Sequence, residues 1–273
     1  MEFEECPIYL INLKEKENFL LRSLKELRKL ELFDNIMIKE AVGKNDIKKI
    51  KHKYITQRAN NNINNKFESL NILPTLGSIG CAISHMNCWK DIIKKKFNYA
   101  IICEDDIKVE NIDNFKFNYY KSLNYIIQES PIFITFNSKI DFDYEYSEEI
   151  SKIYTSFTGT SFYMINLKCC YELLKMFPIT EQIDLEISKN YSIEKYFFKN
   201  RCLNYYDHIS SVQYYFLELK ELIEIFQKIL PEEMIEKIYS YLPQKKYYTN
   251  KNVINYGYDY QINYGYNYNY NPN

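Results

Sequence analysis

Short, uncharged apolar runs alternate along this chain with longer segments whose apolar residues recur at helical spacing, and that alternation constrains the fold more than any other feature. PIYLINL (7–13) reads as a short buried strand. Residues 15–31 follow with Leu20, Leu21, Leu24, Leu27 and Leu30 at helical spacing and charge on the other face. NIMIKEAV (35–42) is a second strand ending at Gly43, and a basic helical segment spans 44–53. The Asn-rich run NNNINN (60–65) lacks periodicity and is expected to be a mobile surface loop beside a solvated Lys-rich face. From Gly77 to about Lys96 the pattern is helical again, and the strand YAIIC follows. Residues 112–128 form another helix, and PIFITF (131–136) forms a strand opened by Pro131. Residues 152–157 and 160–166 look strand-like, and Leu167 to Phe177 reads as a helix. The expected fold class is α/β, with helices packed on a largely parallel sheet.

Composition narrows the partners. With 273 residues the chain can bury a substantial core in one or two domains. A formal net charge of -1 gives no global attraction to nucleic acid or an anionic membrane. Tyr (28) and Phe (17) are abundant and Gly (6) is scarce. With Asn, Ile and Lys also common, the bias fits an AT-rich genome, bacterial or that of a large DNA virus. The start MEFEECPIYLINL is acidic where a secretory signal is basic, and no stretch has the length of a membrane span. Seven cysteines without a CxxC pair suit a reducing compartment. The expected location is cytoplasmic, or virion or host cytoplasm for a viral protein. The sequon Asn190-Tyr191-Ser192 is then a chance occurrence.

One stretch asks for a partner. In YAIICEDDIKVE (99–110) an apolar strand runs straight into Glu104, Asp105 and Asp106. Three adjacent carboxylates repel one another unless something offsets their charge. A solvated turn is one resolution. A divalent cation is the other, since Mg²⁺ or Mn²⁺ takes carboxylate and phosphate oxygens together. Glu104 and Asp106, two residues apart, are the candidate metal ligands, and ligands in open α/β sheets bind beyond the carboxyl ends of the strands.

LPTLGSIGCAISHMNCWKDIIKKKFNYAIICEDDIKVE resembles the signature of glycosyltransferase family 25, the lipopolysaccharide and procollagen galactosyltransferases. Gly77, Ile79, Gly80, Cys81, Ser84, His85 and Trp89 stand in the corresponding order. YLINLKEKENFLLRSLKEL resembles the family's opening strand and helix, and AVGKND its A-x-x-G turn. FTGTSFYMINLKCCYELLKMFPITEQIDLEI resembles its late strand, helix and PI…ID segment. The similarity runs over roughly 5–215. Ser78 stands where the family has Glu. After INL, Lys16 keeps one usual basic residue, Phe19 replaces another, and Arg22 lies further on.

The resemblance implies a GT-A-type, Rossmann-like nucleotide-sugar fold. It also implies metal-dependent inverting transfer of a hexose, galactose or glucose, from a UDP-sugar. The acceptor would be a hydroxyl of a glycan, a lipopolysaccharide or a collagen-like protein. Glu104 and Asp106 would hold Mn²⁺ or Mg²⁺, while Asp105, Ser84 and His85 would line the donor pocket. Asp184 in QIDLE falls on the family's late aspartate and is the candidate base, with Glu186 second. Inversion needs such a base to accept the acceptor's proton. Cys81, His85 and Cys88 share a helix face, and with Cys103 they offer zinc-type ligands. Three zinc ligands on one helix would be unusual geometry, and packed cysteines explain the pattern more simply.

The expected organisation is a transferase domain (1–213), a helical extension (214–243) and a disordered Tyr/Asn tail (244–273) with the repeat INYGYDY/INYGYNY. LPEEMIEKIYSYL in the extension resembles the opening helix of an F-box, which docks ubiquitin-ligase adaptors. The rival function is therefore a decayed transferase domain acting as a binding or adaptor protein through residues 214–243.

Overall fold

In the computed structural model, residues 6–65, 72–73, 75–136, 149–154 and 156–205 are described. The predicted extension and tail, and the adaptor role tied to them, lie outside the described residues. The chain opens with β1 (Ile8–Asn12), α1 (Glu17–Arg28), β2 (Ile36–Glu40) and α2 (Lys44–Ile50), which is followed by a 3₁₀ turn. Next come α3 (Gln57–Asn65), α4 (Leu76–Lys95), β3 (Tyr99–Glu104), β4 (Ile107–Val109) and α5 (Ile112–Ile126). The remainder is β5 (Ile132–Thr135), β6 (Ile150–Lys152), β7 (Phe162–Asn166), α6 (Leu167–Leu174), α7 (Ile183–Lys189), β8 (Glu194–Phe198) and β9 (Leu203–Tyr205).

Seven strands form one sheet in the order β2-β1-β3-β7-β5-β8-β6, and β4 pairs with β9 in a small second one. Strand alternation divides the interior in two. Tyr9, Ile11, Ala100, Ile102, Tyr163 and Ile165 point to one face, covered by α2, α4, α6 and α7. Ile8, Leu10, Ile101, Cys103, Phe162 and Met164 point to the other, covered by α1 and α5. Helices on both sides explain why β1, β5 and β7 are apolar at nearly every position. This is the expected α/β layering.

The sheet is mixed rather than largely parallel. β1 runs parallel to β2 and β3, but β7 runs antiparallel to both of its neighbours, β3 and β5. A strand buried on both faces carries the same apolar pattern whichever way it runs, so composition alone cannot fix its direction. β1 lies between β2 and β3. Its connection to β2 runs through α1 on one face, while α4 enters β3 from the other. The chain therefore switches direction at the carboxyl ends of β1 and β3, where open sheets place ligands.

Two expectations need correction. Residues 60–65 belong to helix α3, not to a loop. Ala59 is buried and Ile63 packs against the same core, four residues apart. Thr56 Oγ1 accepts from the Ala59 N–H at 3.3 Å, and Asn62, 3 % exposed, donates to the Leu73 carbonyl at 3.0 Å. This cap, the bond to Leu73 and the packing of Ala59 and Ile63 override the poor helix propensity of consecutive asparagines. The strand expected at 152–157 instead occupies Ile150–Lys152 and pairs with β8. Phe157 turns inward, its N–H bonded to Ser188 Oγ at 3.1 Å.

Candidate active site

α4 begins at Thr75, whose hydroxyl caps the Ser78 N–H at 3.1 Å, and most of the helix is buried. That depth is possible because Gly80 faces the turn after β2. A Cβ on Gly80 would lie 2.4 Å from the Val42 carbonyl oxygen and 2.8 Å from Ile47 Cδ1. One turn later Ser84 Oγ donates to the Gly80 carbonyl at 2.6 Å and accepts from the Val42 N–H at 2.9 Å. Ser84, expected in the donor pocket, is buried and ties α4 to this turn.

His85 and Trp89 continue along α4 and meet Tyr163 of β7. The Trp89 indole N–H, which can only donate, lies 2.9 Å from the Tyr163 hydroxyl, and that hydroxyl lies 2.8 Å from His85 Nδ1. Burial keeps the Tyr163 phenol protonated. The arrangement that uses every hydrogen has Trp89 donating to Tyr163 and Tyr163 donating to His85 Nδ1. The ring proton of His85 then sits on Nε2, 3.3 Å from Glu104 Oε1. A buried relay running back to the core thus orients the first carboxylate of the triplet.

Glu104 ends β3, and Asp105 and Asp106 occupy the turn before β4. The far side of this turn is pinned because buried Glu26 of α1 accepts from the Val109 N–H at 2.9 Å and pairs with Lys29 at 2.5 Å. Burial, and next the Glu104 charge, raises Asp105 to about 6, while Lys16 and backbone hydrogen bonds at Leu13 and Asp105 pull it down. Asp106 is raised by the same causes, burial first and then the charges of Glu104 and Asp105. Asp105 Oδ2 is buried without a hydrogen-bond partner among the described residues. Crowded carboxylate oxygens, one of them with no donor, match the needs of a hard divalent cation. Lys16, in the turn after β1, is a cation whose charge reaches both aspartates, and it packs over Phe19 at 5.0 Å from the ring centroid.

Asp184 lies in the first turn of α7, half-buried. Its carboxylate accepts from the Gly159 N–H at 3.3 Å and the Leu185 N–H at 2.9 Å. Gly159 has φ 106, a left-handed conformation that suits glycine and aims its N–H at the acid. Burial raises Asp184 to about 6 against those two hydrogen bonds, and Glu104 adds to the rise. Asp184 is therefore within electrostatic reach of the triplet. Glu186 is engaged locally, its Oε1 accepting from the Thr180 and Glu181 N–H groups at 2.6 and 2.8 Å.

The zinc-type set of Cys81, His85, Cys88 and Cys103, weighed above against simple packing, is not assembled as a whole. Among the described residues, Cys81, His85 and Glu104 bring their ligand atoms within 4.8 Å of one another, and Cys88 and Cys103 are not part of the group. Cys103 Sγ instead donates to the Tyr9 carbonyl at 3.4 Å. Sequence reasoning missed Tyr163 and the Gly159 N–H. For Tyr163 the available signal was an indole donor on a helix expected to be buried, which must find an acceptor.

These shifts fix a pH dependence. Asp105 and Asp184 titrate near 6 when folded, against about 3.9 for a free aspartate. The folded chain therefore holds those protons more tightly than the unfolded one. The resulting stabilisation is complete below about pH 4 and is lost as pH rises through about 6. Glu194, held at about 2 by Lys152 and Tyr196, and Asp91, held at about 2 against burial by Lys39 and Lys95, act in the opposite sense, but that contribution is largely complete by pH 4.5. Metal-free protein is expected to melt at a lower temperature near pH 7 than near pH 4.5, measured by calorimetry; a rise over that interval contradicts the assignment.

Two comparisons bear on what this arrangement does. The family model of glycosyltransferase family 25 (LPS biosynthesis protein) matches residues 5–191. Procollagen galactosyltransferase 2 of Homo sapiens is 29% identical over 111 residues, covering 41% of this chain and 17% of that protein. Procollagen galactosyltransferase 2 of Mus musculus is 29% identical over 122 residues, with the same coverage. The chain thus spans about a sixth of the length of these curated relatives.

Proposed function

The chain belongs to glycosyltransferase family 25, and from that premise we propose that it is a metal-dependent inverting glycosyltransferase. It moves a hexose from a UDP-sugar to a hydroxyl. Galactose or glucose is the sugar, and the acceptor is a glycan, a lipopolysaccharide or a collagen-like protein. The observation that carries the proposal is the gathering of Glu104, Asp105 and Asp106 at the β1/β3 switch point with Asp184 in electrostatic reach.

Glu104 and Asp106, with Asp105 beside them, would hold Mn²⁺ or Mg²⁺. When bound, such an ion supplies positive charge against the diphosphate leaving group. The chain's own residues do the rest. His85, fixed through Tyr163 and Trp89, keeps the Glu104 carboxylate turned toward the site. Lys16 adds a second positive charge beside the triplet. The acceptor hydroxyl attacks the anomeric carbon from the face opposite UDP. As the new C–O bond forms and the bond to the diphosphate breaks, the hydroxyl proton passes to an Asp184 carboxylate oxygen. A carboxylate at about 6 is ionised near neutrality yet more basic than an ordinary aspartate, which suits a general base. Glu186, the second candidate, has one oxygen committed to two backbone N–H groups.

The test is titration of the full chain with UDP-galactose, UDP-glucose and a non-uridine nucleotide sugar, each with and without Mn²⁺. The expected result is Mn²⁺-dependent binding of a UDP-sugar and slow release of UDP. Failure to bind any nucleotide sugar in the presence of Mn²⁺ overturns the proposal.

A further inference from the structure

We propose that Cys81, His85 and Glu104 form a second cation site, selective for a soft divalent ion of the zinc class, which overlaps the hard-cation site through Glu104. Cys81 and His85 stand one turn apart on α4, and Glu104 meets them from the end of β3. Cys81 Sγ lies 4.0 Å and His85 Nε2 3.3 Å from the same oxygen, Glu104 Oε1, and the three ligand atoms fall within 4.8 Å. Zinc bonds of about 2.0–2.3 Å put tetrahedral ligand atoms roughly 3–4 Å apart, so the widest pair has to close by roughly 1–2 Å to complete the set. Three protein ligands leave a fourth position open.

The donor types decide which ion is preferred. Mn²⁺ and Mg²⁺ favour oxygen, as in Glu104 with Asp106, whereas thiolate and imidazole select zinc. The surroundings also suit a metal-bound histidine, since Tyr163 sits at Nδ1 with Trp89 behind it and holds the ring in place. The proton balance is simple. The Cys81 thiol proton leaves to solvent. His85 stays neutral, its proton moving from Nε2 to Nδ1; the Tyr163 oxygen then accepts from Nδ1 as well as from Trp89, and the Tyr163 hydroxyl proton, no longer donated to Nδ1, rotates away from the ring. One dication then faces one thiolate and one carboxylate, so the occupied cluster carries no net charge. Because both sites need Glu104, a zinc-class ion excludes the hard cation. The resulting inhibition of transfer rests on the function proposed above, while the site itself does not.

The experiment uses the metal-free full chain and Co²⁺ as a spectroscopic substitute for Zn²⁺. The expected result is a thiolate-to-cobalt charge-transfer band in the near ultraviolet, removed by Zn²⁺ and lost in Cys81→Ser. Absence of the band in the unaltered chain, or its persistence in a folded Cys81→Ser variant, overturns the proposal. If that variant does not fold, the unaltered chain still decides. All seven cysteines are described; Cys81 is half-buried and the other six are buried. Zn²⁺, but not Mg²⁺, is expected to slow alkylation of Cys81 by about tenfold, read by peptide mass spectrometry. An unchanged rate overturns the site. No nucleotide sugar enters either measurement, so its failure is separable from failure of the transferase function.

Discussion

Replacing Asp106 with Asn is expected to remove Mn²⁺-dependent turnover of the UDP-sugar while leaving the chain folded and its metal-free melting temperature no lower. The two halves of that result have one cause. Asp106 is held in a site where burial and the charges of Glu104 and Asp105 oppose its ionisation. The folded chain bears that cost, and an amide of similar shape removes it. The same crowding is what a cation relieves. A metal contributes several kcal/mol of charge stabilisation in a phosphate-leaving transition state, and about 1.4 kcal/mol is tenfold in rate. The expected loss in kcat/KM is therefore roughly a hundred- to a thousandfold, measured by UDP release, with calorimetry reporting the fold. Retention of more than about a tenth of the turnover excludes Asp106 as a ligand. A large fall in melting temperature assigns it a structural role instead.

The largest expected effect on stability comes from Gly80→Ala. The added methyl carbon meets the Val42 carbonyl oxygen at 2.4 Å and Ile47 Cδ1 at 2.8 Å. The nearer obstacle is backbone, and Ser84 fastens the same residue through the Val42 N–H, so neither side can yield cheaply. Overpacking of this kind costs about 3 kcal/mol, which lowers the melting temperature by roughly 6–12 °C in a domain of this size. Gly43→Ala is the internal control. Its nearest neighbour would be Asp46 Oδ2 at 3.7 Å, and Gly43 has φ -77, open to any residue. Thermal melts of the two variants should differ widely. Equal melts would mean that α4 does not approach the turn as described.

These two positions also mark how far the sequence could be read. The Asp106 neighbourhood was legible because an all-apolar strand ending in three carboxylates is a local pattern, and β3 delivers them where that pattern said it would. The helices α1, α4 and α5 were legible for the same reason, their apolar residues recurring at the period of one face. What resisted reading depends on contacts distant in the chain. Tyr163 lies 74 residues from Trp89 and 78 from His85, and nothing near it announces the relay. The direction of β7 was invisible because both of its faces are buried. In α3, consecutive asparagines hid the Ala59–Ile63 pair, and the bond from Asn62 that holds the helix reaches a carbonyl eleven residues away. Asp184 was placed by resemblance rather than by pattern; its hold on the Gly159 N–H is a property of backbone conformation.

The depth at which α4 sits has a consequence for substitution. Gly80, Ser84, His85 and Trp89 each fill a place in the interior, so the pocket cannot be altered from this helix without disturbing the packed centre. The segments leaving β1 and β3 carry Lys16, Asp105 and Asp106, which are half-buried as residues and stand outside the helix layer. Substitutions at those strand ends are therefore expected to alter the pocket at less cost to the interior than substitutions in the helix beneath.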